Sequence, residues 1–119
     1  MKEEREKLEK ALRWCRRQWT KRWSEKYGHC SLLAVKILEE AEEKFDLDTC
    51  GVEGFNAQEW GNDLEGVAYL NTGQAYDSTI CFQSYSSHSG RFFLSSWGDA
   101  YEKFERRMNR QEGKRSGSW

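Results

Sequence analysis

The sequence predicts an α+β fold: an N-terminal helical hairpin, a 3–4-stranded antiparallel sheet arranged as a meander, and a C-terminal helix, in the order α-α-β-β-β-β-α. Three observations predict it. Apolar residues recur at three- and four-residue steps from Leu8 to Phe45, the period of helices lying on a core. Between Gly66 and Asp99 the pattern changes to short β-rich runs divided by polar, glycine-containing turns. Ser96-Trp97-Gly98-Asp99 then has the S-x-x-D spacing of a capping box, which marks the start of a helix.

The first helix is expected over residues 3–27. Leu8, Ala11, Leu12, Cys15, Trp19 and Trp23 fall on one stripe. Glu3, Glu4 and Glu6 suit the positive end of the helix dipole, and Lys21, Arg22 and Lys26 suit the negative end. Gly28 is a natural stop. Trp14 falls off the apolar stripe, beside Lys10, Arg13, Arg17 and Lys21, and is expected to be exposed.

The second helix is expected from Ser31 to Phe45, burying Leu33 or Ala34, Ile37, Leu38, Ala41 and Phe45. Glu39, Glu40, Glu42 and Glu43 cover its other side. The short connection makes the two helices an antiparallel hairpin in which the acidic second helix can pair with the basic first.

Asp46 to Cys50 breaks the helix, and Gly51 to Phe55 reads as a short edge strand weakened by its glycines. Asn56 to Glu65 reads as a polar loop carrying Trp60. Strands are expected over 67–70, 79–85 and 92–97, with turns at Asn71-Thr72-Gly73 and at Ser86 to Gly90. In the final helix Tyr101, Phe104 and Met108 share a side. Residues 1–111 thus form a single domain, and 112–119 a flexible tail.

The 119 residues carry a net charge of −1, distributed unevenly. Residues 1–26 hold ten Lys/Arg against five Glu, residues 27–66 two Lys against ten Asp/Glu, and residues 67–119 seven Lys/Arg against five Asp/Glu. Such polarity attracts a charged partner or the chain's own opposite end. No apolar run is long enough to span a membrane, and the charged start lacks a signal-peptide core, so a cytoplasmic protein is expected.

The segments Tyr69-Leu70-Asn71-Thr72-Gly73, Tyr76-Asp77-Ser78-Thr79-Ile80 and Ser95-Ser96-Trp97-Gly98-Asp99, preceded by Gly51-Val52-Glu53-Gly54, resemble a loose group of small, mostly uncharacterised proteins of bacteriophages and other bacterial mobile elements. The resemblance covers residues 51–102. It implies a bacterial host cell and a small accessory protein that binds and blocks a host protein, as anti-CRISPR and other anti-defence inhibitors do.

Chemistry-bearing residues are weighed against simpler roles. Cys30 near a helix start, beside His29, is the enzymatic candidate, since a helix dipole favours a thiolate. Adjacent residues rarely face each other, however, and a structural cysteine is the simpler reading. Cys15, His29, Cys30, Cys50, Cys81 and His88 have no zinc-site spacing. Asp63, Glu65, Asp77 and Asp99 form carboxylate pairs only weakly, because capping accounts for Asp77 and Asp99. No catalytic residue, metal or cofactor is therefore assigned.

Two charged surfaces remain. The stripe Lys10, Arg13, Arg17 and Lys21 with Trp14 could track phosphates while the indole stacks on a base, giving a nucleic-acid-binding regulator. The acidic surface Glu39, Glu40, Glu43 and Asp63, with Trp60 as aromatic anchor and Glu42 and Glu65 nearby, could occupy the groove of a host nucleic-acid-binding effector. Ordinary solvated helix faces are the simpler reading of both. The expected partner is a host protein, with nucleic acid second, a homodimer also compatible, and no membrane.

Overall fold

A computed structural model describes residues 2–23, 30–54, 58–60, 63–72, 78–86, 89–96, 98, 99, 102, 105 and 106. The first helix, α1, spans Lys2–Arg22, and the second, α2, spans Cys30–Lys44. Five strands follow: β1 (Val52–Gly54), β2 (Gln58–Trp60), β3 (Asp63–Leu70), β4 (Thr79–Ser86) and β5 (Ser89–Ser95). All the pairings are antiparallel, in the order β1-β3-β4-β5, and β2 pairs with the first half of β3. The predicted final helix and the tail at 112–119 fall largely outside the described residues. Its predicted cap is formed, because the Asp99 N–H donates to Ser96 Oγ at 3.1 Å.

The α+β class and the meander are as expected from sequence. One expectation is corrected. Residues 56–65 are not simply a loop: β2 pairs antiparallel with the start of β3, Trp60 and Asp63 being Cα partners with Gly61-Asn62 between them in sequence. A two-residue Gly-Asn connection is a hairpin signal. The polar flanking residues masked it, because alternation is hard to see in a three-residue strand.

The end of α2 has a physical cause written into the six residues from Glu42 to Leu47. Asp46 takes a left-handed φ of 50°. The Leu47 N–H then reaches back to the Glu42 carbonyl at 3.0 Å, and the Asp46 N–H to that of Glu43 at 3.3 Å. This is the Schellman pattern, with Asp where glycine is usual. Buried Leu47 supplies the accompanying apolar contact toward the helix.

Both helices pack on one face of the sheet. Leu8, Ala11, Leu12 and Cys15 of α1 and Leu33, Ala34, Ile37, Leu38 and Ala41 of α2 share a core with Ala68, Leu70, Ile80, Phe82 and Phe92. Period-2 alternation sends Val67, Tyr69, Cys81 and Phe93 to the opposite face, where the first three are also buried. Cross-strand register stacks these rows: Ala68, Phe82 and Phe92 lie across from one another, as do Tyr69, Cys81 and Phe93. The α1–sheet joint is aromatic. Trp19 lies 4.9 Å from Phe82 and 6.0 Å from Phe92, ring centroid to centroid, and Phe82 and Phe92 are 4.8 Å apart.

Two glycines answer to close approach. Gly54 has φ 105°, and a Cβ there would run into the Val67 carbonyl. Gly90 lies under the Phe82 ring, so any side chain would displace that ring from the core.

Candidate functional site

The charged surfaces were built from two helices whose apolar stripes fix their orientation. With Leu8, Ala11, Leu12 and Cys15 against the sheet, Lys10, Arg13, Arg17 and Lys21 are all turned to solvent. The spacing 10, 13, 17, 21 keeps them on one line over about 16 Å of helix. Among the described residues none of the four has an ion-pair partner. On α2 the same logic turns Glu39 and Glu43 outward, followed by exposed Asp46 and Asp48 beyond its end.

Among the described residues the two helices pair as the sequence suggested through a residue beside the basic line, not through the line itself. Arg22 of α1 pairs with Glu40 of α2 at 2.7 Å, with both side chains part-exposed. Arg22 is outside the predicted basic stripe. Glu40, expected on the open acidic surface, is already engaged by it. Glu42 is half-buried, and its Oε2 has no hydrogen-bond partner among the described residues.

Trp14 requires a correction. It is not a free indole on a charged face but half-buried, set edge-on to Phe45 with centroids 6.0 Å apart. Lys44 Nζ stands 6.0 Å from its ring centroid. The sequence signal failed because Trp14 is off the sheet-facing stripe yet on the side facing α2. Trp23 requires the opposite correction: it continues the apolar stripe in sequence but is 46% exposed, as α1 ends at Arg22. Leu32, 61% exposed on α2, is a surface apolar residue that the sequence reading missed.

Trp60 and Asp63 sit opposite each other in the β2–β3 pair, on a different element from Glu39 and Glu43.

The cysteines are spread apart. Cys15 is buried under the helices and Cys81 on the second sheet face, while Cys50 is exposed. Burial pushes the Cys15 thiol from its ordinary 9.0 up to about 12, and the nearby Glu40 charge adds to the rise. Such a thiol is a poor nucleophile. Cys30 opens α2, and His29 and His88 lie outside the described residues. Among the described residues no group of three or more His, Cys, Asp or Glu is placed to hold a metal ion, and no helix is long and apolar enough to cross a membrane. Asp77 lies outside the described residues. Asp99 caps locally.

No family model, no curated protein and no solved structure matches this chain.

Proposed function

We propose that this chain is a small non-enzymatic binding protein of the phage or mobile-element type, which inhibits or modulates a bacterial host protein by surface contact. The anti-defence inhibitors, anti-CRISPR proteins among them, are the class it fits. One observation carries the reading: Lys10, Arg13, Arg17 and Lys21 on α1, and Glu39 and Glu43 on α2, all face solvent instead of pairing across the hairpin. Long side chains of one sign held in line on a rigid helix are suited to steering and orienting an oppositely charged partner. The acidic version of the proposal also includes Trp60 and Asp63, on the separate β2–β3 pair.

Nucleic acid ranks second as a partner. The basic line can follow phosphates, but Trp14, packed on Phe45, is poorly placed to stack on a base. A cysteine enzyme at Cys30 ranks third, and full activity of Cys30→Ala would dispose of it.

The deciding experiment is affinity capture from a bacterial lysate, with and without nuclease, using the natural chain, an Arg13→Glu/Arg17→Glu variant and a Glu39→Lys/Glu43→Lys variant. A protein retained after nuclease and lost with either variant supports the proposal. A partner that disappears with nuclease moves the assignment to nucleic acid. Retention of the same protein by both variants rules out the helical surface.

A further inference from the structure

We infer that the outer face of the helical hairpin is self-complementary and joins two copies of this chain about a two-fold axis parallel to the helices. The argument begins with levels along the hairpin. Arg22 meets Glu40, and Trp14 meets Lys44 and Phe45, so the antiparallel register of α1 and α2 is fixed at two heights. Stepping at the same rise along both helices sets Lys21 level with Glu39 and Arg17 level with Glu43. All four are exposed.

These level pairs do not meet within one protomer. They project outward from neighbouring helices, and the seam between is taken up by Trp14, Phe45 and the Arg22–Glu40 pair. The result is a basic line and an acidic line side by side on one face, with two opposite-charge matches at equal heights.

Symmetry converts that pattern into a specific partner. A two-fold axis in the plane of this face and parallel to the helices lays α1 of one copy on α2 of the other. The two stay antiparallel, and their levels are unchanged. Arg17 then faces Glu43 of the second copy and Lys21 faces its Glu39, each twice by symmetry. The perpendicular in-plane axis would set α1 on α1 and bring the four cations of each copy together, which like-charge repulsion disfavours. The two lysines within the acidic segment do not spoil the match: Lys36 is engaged within the protomer, and Lys44 stands over the Trp14 ring.

The dimer uses surface that the proposed function assigns to a host partner, so self-association and partner binding would compete. They are tested separately, because self-association is measured on the pure chain with no partner present.

The test is sedimentation equilibrium of the purified full chain at low and high salt. The expected result is a dimer in about 20 mM salt whose dissociation constant rises at least ~10-fold in about 500 mM, as charges at this surface become screened. Arg17→Glu and Glu43→Arg should each weaken it by ~10-fold or more, and the two combined in one chain should restore it to within ~3-fold, since each new pair again has opposite signs. Circular dichroism checks that each variant is folded; if one is not, Lys21→Glu with Glu39→Lys replaces the set. A chain that stays monomeric at about 100 μM in low salt, a dimer indifferent to salt and to the single reversals, or a combined variant that remains weak would each overturn the inference.

Discussion

The guanidinium of Arg16 donates two hydrogen bonds to the carbonyl oxygen of Phe92, at 3.1 and 3.3 Å. Phe92 lies in β5, the end strand of the β1-β3-β4-β5 order, and its ring belongs to the cluster with Trp19 and Phe82. One α1 residue therefore occupies an acceptor on a sheet edge, three positions before the indole that packs beneath it. Edge carbonyls left open are sites for unwanted strand pairing. Arg16→Ala should lower stability by about 1 kcal/mol, less than a buried charged hydrogen bond because water can replace the donor. Urea denaturation checks this, and an unchanged midpoint would mean the contact is incidental.

Gly51 and Gly54 separate two effects that usually come together. Both have φ near 105°, but a Cβ at Gly51 meets nothing within 4 Å, whereas at Gly54 it meets the Val67 carbonyl and lies 3.0 Å from Ala68 Cα. Gly51→Ala should cost about 1–2 kcal/mol from backbone strain alone. Gly54→Ala should cost clearly more, since β1 must also move off β3. Equal losses in parallel thermal melts would contradict the packing argument.

Asp46 occupies a position that glycine fills at little steric cost. Asp46→Gly should raise stability by about 0.5 kcal/mol, the relieved left-handed strain being partly offset by greater freedom of the unfolded chain. A fall in the melting temperature would show that the Asp side chain supports the turn.

Cys15 links stability to pH. Its folded thiol titrates near 12 against an ordinary 9.0, so the unfolded chain loses this proton first as pH rises. The sign follows: the Cys15 contribution is fully present below about pH 9 and is lost progressively toward about pH 12. The natural chain should lose more melting temperature between about pH 8 and pH 10 than Cys15→Ala does, because the variant lacks this titration. Parallel losses in the two would count against it. At neutral pH an alkylating reagent should modify exposed Cys50 well before buried Cys15 or Cys81.

Much of the frame was legible in the residues. The three- and four-residue spacing of Leu8, Ala11, Leu12 and Cys15, and of Leu33, Ile37 and Ala41, placed two helices with their buried faces. The alternation through Ile80 and Phe82 placed a strand, and Ser96 with Asp99 a cap. What could be read was local: a period, a turn residue or a cap is decided within one or two turns of chain. The β2–β3 pair escaped because a three-residue strand carries too few positions for a period.

The surface residues divide in the same way. Sequence by itself determined that Lys10, Arg13, Arg17 and Lys21 share one line, since helical periodicity fixes which residues of a single helix face together. Tertiary structure alone decided that Trp14 turns toward Phe45, that Trp23 ends up exposed, and that Arg22 rather than the basic line takes Glu40. Each of these depends on where α1 ends and at what height α2 lies beside it, a relation between distant segments that no local pattern encodes.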